Sequence, residues 1–140
     1  MLASLFIIMT IIIIVSPYVV STKKNEIIRV TNSIVTELKV IKTLAISKNS
    51  YIYVDFSKLE NKGYTYFEYK SMGKKYGEYS VPKGYVIDVS KADFDNGKLA
   101  FRPDGTLGHR ATTIRIMEVA TQREEKITLT IGYTRIMRVD

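Results

Sequence analysis

The chain reads as an α+β fold in which one long N-terminal helix carries a small antiparallel β-sheet or sandwich head. Three observations predict this. Residues 1–22 are an apolar run, residues 26–48 space their apolar side chains by threes and fours, and alternation with turn signals takes over after residue 50. At 140 residues there is room for one compact domain plus one extra element. With 46% hydrophobic and 25% charged residues, the composition is that of a folded chain rather than a disordered one.

Residues 1–22 carry no charge, and Ser4, Thr10, Ser16, Ser21 and Thr22 are the small polar interruptions. At about 1.5 Å rise per residue, about 20 such residues cross a hydrocarbon core of about 30 Å. This is the predicted transmembrane half of the helix, with Leu5, Phe6, Ile7, Ile8, Ile11, Ile12, Ile13 and Ile14 meeting lipid or partner helices. A soluble core helix is rarely apolar on every face for so long. The competing reading is a cleaved secretory signal. Against it, no basic region precedes the run, no small-x-small site succeeds it, and the run exceeds the usual apolar core of a signal. Pro17 removes a backbone hydrogen bond, so a kink or local melting is expected there. Within lipid such a break is tolerated when Ser16 or neighbouring helices satisfy the freed carbonyl, which favours a helix packed among others.

Residues 23–50 continue the same helix as its amphipathic half. There is no Gly or Pro from Glu26 to Lys48, and Ile27, Thr31, Ile34, Leu38, Ile41 and Ala45 fall on one face. Ile28, Val35 and Leu44 widen the stripe, which is expected to pack on the head through Ile27, Ile34, Leu38 and Ile41. Asn49–Ser50 is a suitable end.

Residues 51–140 are the head. Tyr51–Phe56 alternates, with Ile52, Val54 and Phe56 inward, and Asn61-Lys-Gly63 turns into a second strand over Tyr64–Tyr69. Ser71 to Tyr79, with Gly73 and Gly77, reads as a loop or irregular edge. Further strands are expected at Tyr85–Val89, Leu99–Phe101, Thr112–Val119, Lys126–Ile131 and Tyr133–Val139, separated by the turns at Pro82-Lys-Gly84, Asp95-Asn-Gly97 and Pro103-Asp-Gly105. A β-piece of this size struggles to supply its own core, so the helix stripe is expected to complete it.

The net charge of +7 does not by itself point to nucleic acid. Residues 23–50 hold Lys23, Lys24, Arg29, Lys39, Lys42 and Lys48 against Glu26 and Glu37, so over half the excess sits beside the apolar run, where basic residues commonly lie near a membrane surface. With no cysteine and one histidine, thiolate chemistry, cysteine-bound metals and histidine-built sites are not expected. His109, after Gly108, reads as a solvated turn residue. Asp93, Asp95 and Asp104 have oxygen ligands at a spacing that could suit calcium, yet the place where an EF-type loop wants glycine is Lys98, and local turn bonding accounts for the same residues. Tyrosines interleave with lysines between residues 51 and 85, and Tyr64, Tyr66, Lys74 and Lys75 are candidates for stacking on single-stranded nucleic acid or glycans. The plainer account is that tyrosine suits strands, and Asp55, Glu60, Glu68 and Glu78 dilute the field. No catalytic set is present, and no enzymatic activity or cofactor is expected.

A helix half in the membrane and half on a β head resembles the type IV pilins. Met1-Leu-Ala-Ser-Leu-Phe-Ile-Ile is similar to the stretch just after that family's N-terminal Gly-Phe-Thr-Leu-Ile/Leu-Glu motif, and Pro17 falls where the family's proline does. Leu99-Ala-Phe-Arg-Pro-Asp-Gly105 resembles a turn motif of minor pilins and of the H-type minor pseudopilin of type II secretion, carried here by Phe101, Pro103 and Gly105. Gly132-Tyr-Thr-Arg-Ile-Met-Arg138 is similar to their closing strand with two extra residues. Cysteine-free, Lys- and Ile-rich chains of this size also resemble competence-pilus (ComG-type) minor pilins. The resemblance implies a filament subunit whose N-terminal helix packs against other pilins, stored in membrane lipid with the head outside the cell and carried to the cell surface on assembly. DNA is then a candidate ligand, since competence pili capture DNA. A monomeric, single-pass surface protein binding DNA or a cell-wall polymer is the alternative. The family's cleavage glycine and glutamate are not in this sequence, and in assembled pilins that glutamate neutralises a neighbour's N-terminal amine. The reading frame is therefore expected to begin about a dozen residues upstream, with a basic leader cut by a prepilin peptidase. Such a leader would also reverse the orientation that Lys23 and Lys24 alone would set.

Overall fold

The computed structural model describes residues 2–92, 94, 98–130 and 136–139, with side chains from residue 25 onward except that of Val139. A single helix, α1 (Leu2–Lys48, 47 residues), precedes eight strands: β1 (Ile52–Glu60), β2 (Gly63–Ser71), β3 (Lys74–Ser80), β4 (Tyr85–Asp88), β5 (Leu99–Phe101), β6 (Thr112–Glu118), β7 (Glu124–Leu129) and β8 (Ile136–Val139). Helical backbone continues through Pro17. The apolar run lies before the described side chains; among the described residues, no helix is long and apolar enough to cross a membrane.

All strand pairings are antiparallel, and the strands form one sheet in the order β5-β1-β2-β4-β6-β7-β8. The sandwich alternative is not what forms. The sheet divides at β2, whose Tyr66–Ser71 stretch pairs with β3 while Tyr64 pairs with Ile87 of β4 on the same side. Of the two readings of residues 71–79, loop or irregular edge, the second is what forms: β3 pairs with β2 alone, with a register shift between Tyr69 and Lys70. Met72 (φ 50°) and Gly73 (φ 77°) make a two-residue reversal between the paired Ser71 and Lys74, as Asn61 and Lys62 do between Glu60 and Gly63. Left-handed backbone at both central positions matches the twist of a hairpin. A methionine at such a position gives no turn signal, so the strand after it reads as loop.

α1 lies on one face of the sheet, against β1, β5, β6, β7 and β8. The predicted stripe is what it buries: Ile27, Thr31, Ile34, Leu38, Ile41 and Ala45 are each at most 2% exposed. Thr31 belongs there because its hydroxyl donates to the Ile27 carbonyl at 2.8 Å, leaving a methyl to pack. Facing them are Ile52 and Val54 from β1, Leu99 and Phe101 from β5, Ile114 and Ile116 from β6, Ile127 and Leu129 from β7, and Ile136. Outside the stripe, α1 carries exposed Val40 and the half-exposed Ile46. The helix ends at Asn49 (φ 46°), whose amide reaches the Ile46 carbonyl at 3.1 Å, while the Ser50 amide reaches Ala45 at 3.2 Å.

Replacing Ile41 by alanine is expected to destabilise the head by about 2–5 kcal/mol, because a cavity opens between helix and sheet. Val40→Ala, on the exposed side, should cost less than about 0.5 kcal/mol. Chemical denaturation of the two variants in detergent, monitored by circular dichroism, checks the contrast.

Candidate functional site

Three regions of the head carry polar or motif residues. The first joins helix and sheet. Tyr69 of β2 faces α1, and its hydroxyl donates to Glu37 Oε1 at 2.9 Å. That reach depends on Gly77 of β3, the residue paired with Tyr69: a Cβ there would collide with the Tyr69 ring. An aromatic ring laid over a cross-strand glycine replaces the side chain that the glycine lacks. Burial, then the bond to Glu37, pushes the Tyr69 hydroxyl up to about 12. At the other end of the interface, Tyr85 is also raised, first by burial and then by the charges of Glu26 and Glu118.

The second region is the turn after β5. Phe101 is in the core, and the Gly105 amide closes a turn on the Arg102 carbonyl at 2.8 Å. Gly105 has φ 84°, and a Cβ on it would come within 2.7 Å of Ile46 Cδ1. Only a glycine lets this turn lie flat on the last turns of α1. Pro103 is half-buried in the same turn. The three motif residues thus tie the sheet edge to the C-terminal end of the helix.

The third region is the outer face of β1–β3, where the tyrosine–lysine candidates fall. Tyr66 donates to Glu78 and, at 3.3 Å, to Glu68, while Lys58 lies 4.5 Å from its ring centroid. Lys75 pairs with Glu78 and Glu68, Lys70 with Glu68 at 2.6 Å, and Lys98 with Asp55 at 3.3 Å. Glu78 is held below the usual carboxylate range by Lys75, and Glu68 by Lys70; Lys75, Lys70 and the Tyr66 hydroxyl are correspondingly raised. Tyr66 and Lys75 are therefore engaged within the chain. Tyr64 packs beside Phe56 (6.1 Å between centroids), and Lys74 leaves this network to sit over Tyr76 at 5.4 Å. Tyr66 and Lys75 meet at 3.3 Å, while Tyr64 and Lys74 turn to other neighbours.

Of the calcium candidates, Asp93 and Asp95 lie outside the described residues. Asp104 Oδ1 accepts from the Thr106 hydroxyl at 2.6 Å and its amide at 3.0 Å, and the hydroxyl bond holds the carboxyl below its ordinary range. Its oxygen serves the turn. Among the described residues no three His, Asp or Glu side chains gather as metal ligands would. His109 corrects the expectation of a solvated residue. It is 8% exposed, its ring lies 5.3 Å from Phe94, and Nδ1 is 2.8 Å from the Arg110 carbonyl. Phe94 in turn stacks on Phe56, so His109 belongs to an aromatic cluster that a count of turn residues does not reveal. The side chains of Leu5, Phe6, Ile7, Ile8, Ile11, Ile12, Ile13, Ile14 and Pro17 lie outside the described set.

With the geometry in place, comparison with known proteins is informative at the level of fold. No family model matches the sequence, and no curated protein is similar to it. Two solved structures are. The type IV minor pilin FimU of Pseudomonas aeruginosa is 16% identical over 85% of this chain and 92% of its own, with a TM-score of 0.64. The minor pseudopilin EpsH of the Vibrio cholerae type 2 secretion system is 12% identical over 76% of this chain and 92% of its own, with a TM-score of 0.56. The chain therefore has the fold of a minor pilin or pseudopilin, an N-terminal helix packed on an antiparallel sheet.

The Tyr69–Glu37 bond ties head stability to pH. Because the folded state favours the protonated phenol, its contribution is complete below about pH 10 and fades as pH rises toward about 12. Tyr69→Phe should cost about 1–3 kcal/mol at neutral pH. The gap between the two proteins should narrow from about pH 10 upward. Thermal melts across this range in detergent check both parts.

Proposed function

We propose that this chain is a minor pilin or pseudopilin, a non-enzymatic subunit of a type IV pilus-like filament. The observation that carries the reading is that one helix serves two duties. Its Ile27–Ala45 stretch completes the core of the head, while the same helix continues back to Leu2 through residues that are uncharged up to Thr22. A head of this size does not need a further apolar segment for its own folding; a membrane and then a bundle of sibling helices do.

In this reading residues 1–22 hold the subunit in the cell membrane with the head outside. Assembly moves that segment from lipid into the filament's helical core, against the same segment of other pilins. An upstream leader would make the chain a substrate of a prepilin peptidase. Among pilus-like systems we assign it to a competence, DNA-uptake pilus. The cysteine-free, Lys- and Ile-rich composition supports that choice over type II secretion.

An arginine at Ile12 puts a charge in the middle of the apolar run, at a cost of about 3 kcal/mol in a bilayer. In the producing bacterium the Ile12→Arg variant should disappear from the sheared filament fraction, and transformation should collapse. Normal filament incorporation would contradict the reading. A loss of protein secretion with intact transformation would move the subunit to a type II secretion system.

A further inference from the structure

The end of the head that surrounds the C-terminus of α1 holds a cleft that the filament reading leaves unused. It has a volume of about 570 Å³ and lies between the end of α1, the start of β1 and the β2–β3 hairpin. Tyr51 and Tyr53, two residues apart, both point away from the core, because Ile52 between them points into it. They are 45% and 41% exposed, and their rings lie 6.2 Å apart and 15° from parallel. Met72, 97% exposed, forms one wall, and Tyr76 another.

The charges in this cleft are of one sign. Lys48, which lines the cleft, and Lys74, beside it on β3, both lie over the Tyr76 ring, at 5.8 and 5.4 Å from its centroid, and neither is in an ion pair among the described residues. No carboxylate lines the cleft, and its neutral polar groups are Asn49, Ser50 and Ser71. The two serines are occupied with each other, Oγ to Oγ at 2.5 Å, while Asn49 is exposed. Beyond Tyr53 the groove continues past Lys70 and Lys98, but there Asp55 and Glu68 already neutralise the lysines.

We propose that this cleft binds an acidic polysaccharide, a chain of sugar rings bearing carboxylates. The exposed tyrosine pair offers an apolar platform with polar edges, suited to the flat C–H face of a pyranose. Lys48 and Lys74, held by Tyr76, take a carboxylate beside it. A single-stranded nucleic acid fits the same surface less well. It needs cations along its whole backbone, and here the available ammonium groups are confined to one end, while Asp55 faces the other. The Tyr76 face that a base would stack on is already covered by lysine. The cleft lies at the C-terminal end of α1, about 40 Å along the helix from the end of the apolar run, so a head held outside the cell would present it outward. That last step rests on the filament reading; the chemistry of the cleft does not.

The test is titration of the full chain, in detergent micelles, with an octamer of galacturonic acid, maltooctaose and an oligothymidylate, read by tyrosine fluorescence and calorimetry. The acidic octamer should bind, should weaken with added salt, and should bind at least about tenfold better than maltooctaose. Lys48→Gln with Lys74→Gln, both at exposed positions, should erase that preference, and Tyr51→Ala with Tyr53→Ala should remove binding altogether. Lys62→Gln, in the β1–β2 turn, should change nothing. The proposal is overturned by equal binding of the neutral octamer, by binding of the oligothymidylate in preference to the acidic sugar, by binding indifferent to these substitutions, or by no binding of any probe. Because filament assembly plays no part in the measurement, a failure here leaves the filament reading standing, and loss of that reading leaves this one testable.

Discussion

The burial of one helix stripe against one sheet face is the constraint on which the head depends. A single eight-stranded sheet has one face to cover, and α1 is the element that covers it. Ile34, Leu38 and Ile41 stand opposite Ile52, Ile114, Ile116, Ile127 and Leu129, so removing the helix would bare an apolar surface drawn from three strands and α1 alike. At this size a sheet without a second layer has too little buried area to offset its chain entropy. The helix cannot be a detachable stalk; the head and the second half of α1 are one folding unit.

Polar contacts refine this packing rather than drive it. Tyr69 reaches through the gap left by Gly77 to Glu37, which fixes how the β2–β3 hairpin sits beside the helix. Gly105 lets the turn after β5 rest on Ile46, which fixes the other margin. The outer face of β1–β3 is instead a ladder of exposed ion pairs, each worth little in solvent, whose effect is to keep that face soluble and its charges mutually spent. The contrast gives the cleft at the helix end its meaning: among the described residues, exposed tyrosines there meet lysines without carboxylates.

Much of this was legible because the period of apolar residues is a direct image of burial. The stripe from Ile27 to Ala45 is buried as spaced, and the turns at Asn61 and Pro103 fall where their residue types place them. β3 was not legible. Lys74-Lys-Tyr-Gly-Glu-Tyr79 has little apolar alternation, since the Tyr69 ring from β2 fills the place over Gly77, and of its own residues Tyr79 packs on Phe67, 5.3 Å away. His109 hid for a related reason: its burial comes from Phe94, fifteen positions earlier, and no local pattern records that contact. The Tyr51–Tyr53 platform was half visible, as the outward parity of β1. Its lysines arrive from the helix end and the β2–β3 hairpin, which only the folded chain brings together.

Native-state amide hydrogen exchange of the full chain in detergent tests the central claim most directly. If helix and sheet share one core, amides from Ile27 to Ala45 and those of β1, β6 and β7 should open together, with a common free energy equal to that of global unfolding. A helix whose amides exchange well ahead of a still-protected sheet would contradict the account.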